Sequence, residues 1–458
     1  MKILVAIANH GTGNRHYLDR LLAAYQSMPV DVQVVILSNI AKDVGPGVEV
    51  RVGVPSENPW SLPFAHRALF LERLEDFDYF IYSEDDTLLT WPVLEAFIGA
   101  ESMLDPSEVA GFLRTEQGPD GRLYYSTCHS FFRWLPGSVR MRGGEVWARY
   151  SNEHSACYAI SQRQLRQVIA NGGFPVEPHE GRFDMLCSAA TDVYTKGGLE
   201  RLVSVDRLLA FRLPHLPNKY IGRYGLPDEE MEWQLAALRE VAAGRLPRGE
   251  LLEPETRLPG SHGAKLYREL ADPIFDKWLA GGGKKVLVWG AGDGVFEQGL
   301  ARLGNTVSVI PLNAVVGECC RHRGLTVVSE ESTGAPADVV LLRDVLQVLD
   351  APEKLIEKAR RWLCPGGQLM VRVPNFHSAR LHRLRWQNPR FKMPWDRESM
   401  GATPWTRAGL RGLLQAGGFD PSPVQGLVDP HLVERNRRTL GLFSRWLTDG
   451  LYVQARRR

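Results

Sequence analysis

The sequence predicts an α/β protein built from two doubly wound domains. Three observations carry this. The 458 residues exceed one ordinary hydrophobic core, and a norm of about 100–200 residues per domain divides them into two or three. Short apolar runs alternate with helical periodicity, the text of a mostly parallel sheet. An apolar strand, a glycine turn and a helix occur in that order twice, once near each end of the chain.

The first such start is the strand Ile3–Ala8, then Gly11-Thr12-Gly13, then a helix to about Ser27. Val32–Leu37, Val48–Val52 and Tyr79–Ser83 follow as strands, with a helix from Pro63 between the last two. Thr90 before Trp91-Pro92 reads as the start of a helix ending near Leu104. The second start is the strand Lys285–Gly290. Strands at Thr306–Ile310, Val339–Leu342 and Gln368–Val373 follow, with a helix at Pro352–Trp362. Leu226 to His262 combines Glu-rich helical text with Pro247, Pro254 and Pro259, which reads as a linker. The expected organisation is a first domain over 1–225, a linker over 226–262 and a second domain over 263–458.

Composition narrows the class. Apolar residues make up 44% and charged residues 24%, a globular balance. A net charge of +2 gives no overall field to draw nucleic acid, and none is expected as a partner. No apolar run reaches the ~20 residues of a membrane span. The six cysteines form no CxxC pair, a thiol pattern of a reducing compartment, so the cytoplasm is the expected location. Nothing in the pattern fixes an oligomeric state.

The most informative motif is Phe80-Ile-Tyr-Ser-Glu84-Asp85-Asp86, an apolar strand running into three acids. Open α/β sheets bind ligands beyond the carboxyl ends of strands. Adjacent carboxylates repel, and a divalent cation relieves that repulsion. Mg²⁺ and Mn²⁺ favour carboxylate oxygens and bridge to phosphates, so a diphosphate-bearing donor fits. A solvated acidic turn is the bland alternative. Arg67, on the helix after Pro63, is placed to meet donor phosphates or to lie on the surface. Gly11 permits close backbone approach after the first strand. Asp184, ahead of the run Met185–Ala190, reads either as a carboxylate base held ionised or as a helix N-cap, with Glu180 in reserve. His129 and His154 read as ordinary packed or surface histidines.

These residues give the first domain a resemblance to the GT-A-fold glycosyltransferases, with Glu84-Asp85-Asp86 where that class carries its DXD metal site. Asn152–Tyr158, Glu180–Asp184, Asp192-Val-Tyr-Thr and His215–Tyr220 add looser matches. The resemblance implies a metal shell of Glu84, Asp85 and Asp86 completed by His215. It also implies an acceptor base at Asp184 or Glu180, a nucleotide-sugar donor, and a glycan or lipid-linked glycan acceptor.

In the second domain Gly290-Ala-Gly292-Asp-Gly294 follows a strand and opens a helix. With Ala337–Leu349, centred on Asp344, then Leu363-Cys-Pro-Gly366-Gly367 and Ala416–Phe419, this text resembles the class I S-adenosylmethionine methyltransferases, a Rossmann-like fold. The resemblance implies S-adenosylmethionine at Gly290, Gly292, Gly294 and Asp344. Two positions depart from it. Val288 stands where that family has an acid two places before the first glycine, and Pro311 where it has the acid that holds the ribose hydroxyls. A Pro side chain accepts no hydrogen bond, a loss of about 1.5–3 kcal/mol. The domain is therefore read either as methylating a sugar hydroxyl, with His377 as base, or as a degenerate scaffold. The insert Arg380–Trp386, with Lys392, Trp395 and Arg397, mixes cations and aromatics. It suits an anionic glycan or a peripheral contact with an anionic membrane.

The whole chain thus reads as a glycan-assembly transferase. The competing readings are a nucleotidyltransferase that makes the activated sugar, and a non-catalytic glycan-binding scaffold. An oxidoreductase is disfavoured, because Pro311 stands where a dinucleotide fold needs an acid.

Overall fold

The structure is a computed structural model of the full chain. It describes all residues except 127–130, 182, 222–224, 259–260, 335, 379–396, 429–436 and 438–445. His129 and the basic insert up to Trp395 therefore lie outside the described residues. The chain divides into two compact units, Met1–Leu246 and Pro247–Arg458. The division falls within the stretch expected as linker. The helix Asp228–Ala242 belongs to the first unit, and residues 247–262 belong to the second.

The first unit is organised by five strands: β1 (Lys2–Asn9), β2 (Asp31–Ser38), β3 (Val48–Val52), β4 (Tyr79–Glu84) and β5 (Cys157–Ser161). Their order is β5-β4-β1-β2-β3, and β5 alone runs antiparallel. Ile3–Ile7 are fully buried, as a central parallel strand covered on both faces requires. The register sets Ala8 beside Glu84, so the turn after β1 and the acids after β4 open at one edge. The helix expected from Pro63 is a 3-10 turn over Pro59–Phe64 that becomes α-helical at Ala65–Glu72. A second, small sheet pairs Leu113–Gln117 with Arg212–Pro214 and with Leu123–Tyr125.

The second unit is an eight-stranded α/β sheet. Its strands are β6 (Lys285–Ala291), β7 (Thr306–Pro311), β8 (Thr326–Val327), β9 (Ala337–Arg343), β10 (Leu363–Pro374), β11 (Phe419–Pro421), β12 (Gln425–Val428) and β13 (Thr448–Arg457). The order is β8-β7-β6-β9-β10-β13-β11, with β12 also paired to β13. The first five in sequence run parallel, and β13 is antiparallel to β10. This is a Rossmann-like sheet, and strand order reverses between β6 and β9. Thr406 caps the helix Arg407–Ala416 with its side chain.

Candidate functional sites

The acids after β4 are separated by their partners. Asp85 Oδ1 accepts from Asn14 Nδ2 at 2.7 Å, and Oδ2 accepts from Asn9 Nδ2. Lys42 binds the Asn9 carbonyl oxygen at 3.0 Å and adds a positive charge nearby. Burial, then, beyond these bonds, the charge of Asp86, raises the pKa of Asp85. Asp86 turns the other way. The peptide N–H of Leu216 donates to its carbonyl at 2.9 Å, and Thr87 bridges to His215. That pairing sets His215 Nε2 3.5 Å from Asp86 Oδ2. Glu116, fully buried, engages His215 Nδ1 and accepts from the Tyr220 N–H at 2.7 Å. Burial opposes charge on both Asp86 and His215, but their mutual contact lowers the pKa of Asp86, and the contacts with Asp86 and Glu116 raise that of His215.

Glu84 faces a different neighbour. Desolvation, with the charges of Asp86 and Asp85, pushes its pKa up to about 8 against the pull of Arg114. Arg114 is buried, and its Nε has no hydrogen-bond partner among the described residues. The four-ligand shell of Glu84, Asp85, Asp86 and His215 is thus not assembled. Only Asp86 and His215 meet, and among the described residues no three His, Cys, Asp or Glu side chains are arranged to hold a metal.

Arg67 does not lie on the surface. It is buried, paired with Asp192 at 2.5 Å, and bonded to the carbonyls of Phe174 and Val176. His179 joins Asp192 at 2.9 Å. Asp184 is exposed and caps the helix Met185–Thr195, accepting from the Cys187 N–H at 2.8 Å. Cys187 nevertheless feels the charges of both Asp184 and Glu84, which puts the cap near the acids. Glu180 is exposed. Gly11 has a φ of +63°, donates to Asn39 Oδ1 at 2.7 Å and leaves its Cβ space open. His154 is buried, and desolvation followed by the charges of Arg114 and Arg201 lowers its pKa to about 3.

Sequence reasoning missed Arg114 and Glu116. The signal was present in Leu113-Arg-Thr-Glu116, where two charges two residues apart share one face of a strand. The structure buries all four.

In the second unit the glycine turn lies at the reversal point. Gly290 (φ +76°) and Gly294 (φ +87°) adopt left-handed conformations. A Cβ on Gly290 would stand 2.9 Å from Val345, on the adjoining strand end. Gly292 is different: the carbonyl oxygen of Tyr267 would lie 2.2 Å from its Cβ, and the Asp293 N–H donates to that oxygen at 2.7 Å. The chain itself uses this glycine. Asp293 is tied to Arg268 at 2.7 Å. Below, Lys265 is 1% exposed and bonds to Glu269 at 2.7 Å and to the Arg343 carbonyl at 3.0 Å. Glu297 beside this network is pushed up to about 7, by desolvation first and then by Glu269.

Asp344 follows β9 directly with a φ of +51°, costly for a residue with a side chain. Arg372 pairs with one carboxylate oxygen, while the other is buried without a hydrogen-bond partner among the described residues. An orphaned carboxylate oxygen at the strand reversal fits a cationic or hydroxyl-bearing ligand. His377 is exposed on the loop after β10. Arg397 binds Asp350 at 2.5 Å and the Gln347 carbonyl at 3.2 Å, so this part of the basic insert is tied to its own chain.

Residues 260–422 match the family model of a methyltransferase domain. The second unit carries a methyltransferase domain. The match spans well under half of the chain, and it does not reach the first unit. Solved structures similar to this chain include three methyltransferases. A putative S-adenosylmethionine-dependent enzyme from Listeria monocytogenes is 18% identical over 40% of this chain and 96% of its own, with a TM-score of 0.31. One from Mesorhizobium loti is 16% identical over 38% and 92%, with a TM-score of 0.29. Magnesium protoporphyrin IX methyltransferase from Synechocystis, with bound S-adenosylhomocysteine, is 16% identical over 40% and 78%, with a TM-score of 0.30. Likenesses this distant add no argument to the family match. No curated protein matches the chain. No helix among the described residues is long and apolar enough to cross a membrane.

Proposed function

We propose that the second unit transfers a methyl group from S-adenosylmethionine to an oxygen of a sugar or similar acceptor. The observation that carries this is the turn Gly290–Gly294 at the strand reversal of a domain matched as a methyltransferase. Gly290 and Asp344, at facing strand ends, are the residues that would hold the cofactor. The bound cofactor supplies an electrophilic methyl group. The chain's part is to orient it, to exclude water with the covering segment at Tyr267, and to take the acceptor's proton. His377 is the exposed base nearest in sequence to the end of β10. Calorimetric titration with S-adenosylmethionine tests the reading. Micromolar binding, lost with Gly290→Val, is the expected result; no heat at millimolar cofactor would end it.

For the first unit, one observation favours a second reading, sugar transfer from a nucleotide-sugar donor to a glycan or lipid-linked hydroxyl. Asp86 and His215 meet at the carboxyl end of β4, with Glu116 fixing the imidazole. Two protein ligands suit a divalent cation whose remaining positions go to waters and phosphates. The ion, when bound, would neutralise a leaving diphosphate. Arg114, rather than Arg67, offers the buried positive charge beside it. Asp184 or Glu180 would take the acceptor proton. Donor hydrolysis with Mn²⁺ should fall at least a hundredfold in Asp86→Ala, and unchanged turnover in that variant would remove the metal reading.

A further inference from the structure

We propose that Glu250 takes the ribose hydroxyls of the nucleoside cofactor, in place of the acid absent from position 311. The inference rests on the cofactor reading for the second unit. A dinucleotide-type fold receives the ribose on a carboxylate about 20 residues beyond the glycine turn, at the end of the next strand. Here that position is Pro311, the last residue of β7, whose ring accepts nothing.

The chain brings another carboxylate to the same strand end from outside the sheet. Leu312 N–H donates to the Ala291 carbonyl at 2.9 Å, and Leu251 N–H donates to the Leu312 carbonyl at 2.7 Å. Moving out from the glycine turn, the backbone therefore runs Ala291, Leu312, Leu251. Glu250 is bridged antiparallel to Asn313. The neighbouring Leu252 anchors the segment, buried in one cluster with Tyr267, Ile310, Leu312 and Val316. This anchoring keeps Glu250 at the end of β7.

The carboxylate is also oriented. Asn313 caps the helix Ala314–His322: its Oδ1 accepts from the Val316 N–H at 3.1 Å. Its amide nitrogen is thereby aimed outward and donates to Glu250 Oε1 at 3.3 Å. A carboxylate offers acceptor oxygens only. Such a group suits a vicinal diol, which offers two O–H donors. Glu250 is half-buried, so part of the residue is open to solvent at this strand end.

The test is binding of S-adenosylhomocysteine and of its 2′-deoxy analogue to the full chain, measured by calorimetry. Wild type should bind the ribo form more tightly. Glu250→Ala should weaken that form ten- to hundredfold and erase the preference, the size of one charge-assisted hydrogen bond. Glu250→Gln keeps the contact with Asn313 and one acceptor oxygen, and should fall between. If wild type binds but Glu250→Ala binds as well, or loses both forms equally, the role of Glu250 is overturned and the cofactor reading stands. If wild type binds neither, the cofactor reading falls and takes this inference with it.

Discussion

Each unit opens on a strand, a glycine turn and a helix, but the two turns are used differently. After β1, Gly11 has a left-handed φ and open space where a side chain would go. After β6, Gly292 is pressed against the carbonyl of Tyr267. The acids differ too. In the first unit Glu84, Asp85 and Asp86 follow one another at a strand end, each with its own partners. In the second, Val288 and Pro311 stand at the two strand ends where acids were expected, and Asp293, Glu269 and Glu297 belong to a buried charged network. A glycine motif therefore shows that the backbone must turn. What fills the missing side chain's place shows whether a ligand or the chain itself needs the gap.

The largest effect should come from Arg67. Removing one partner of a buried ion pair leaves the other charge unpaired and costs about 3–5 kcal/mol. Arg67→Ala should destabilise the first unit by about 3 kcal/mol in urea melts, the low end of that range, since Asp192 is 3% exposed at its side chain but keeps the contact with His179. The double variant Arg67→Ala, Asp192→Ala should recover part of the loss. A mild effect of Arg67→Ala would return Arg67 to the role of a ligand-facing arginine.

Gly292→Ala should cost nearly as much in the second unit, about 3 kcal/mol, because the clash is with backbone and not with a flexible side chain. Gly11→Ala meets no atom and should cost only about 1–2 kcal/mol, for its left-handed φ alone. Equal costs at the two glycines would erase the contrast between the turns.

Much of this is legible in the sequence. The strands at Val48–Val52 and Tyr79–Glu84, the helix Pro352–Trp362 and the cap at Thr406 follow from local apolar period and capping chemistry. The partners of individual side chains were not legible, because they come from distant segments. Asp86 meets His215 only because residues 212–216 run beside Thr87, and Arg67 meets Asp192 across 125 positions. The acid at residue 250 lies in text that reads as linker, and only its bridge to Asn313, beside the bond from Leu251 to Leu312, gives it a place.

A smaller, pH-dependent effect is shared by both units. Glu84 and Glu297 have folded pKa values raised to about 8 and about 7. The unfolded carboxyls titrate near 4.3. Between those values the folded state holds more protons, so stability falls as pH rises: from about 4 to 8 for Glu84, and from about 4 to 7 for Glu297. The loss should be roughly 2 kcal/mol at each site after local screening. Glu84→Gln and Glu297→Gln should each flatten the stability–pH curve in its own window. A curve unchanged by Glu84→Gln would mean that the acids after β4 are ionised already, as a bound cation would make them.

The smallest change in stability should come from Asp184→Asn, and it separates two roles that coincide at one residue. Asn caps a helix about as well as Asp, so the bond to the Cys187 N–H survives and the melting point should move by less than about 1 °C. Asn cannot accept a proton from a sugar hydroxyl. If Asp184 is the base in the proposed sugar transfer, turnover should fall a hundredfold or more with the donor's KM unchanged. Full turnover in Asp184→Asn, beside a drop in Glu180→Gln, would leave Asp184 as a cap and move the base four residues back. Full turnover in both would mean that the first unit needs no carboxylate base at this end of the sheet.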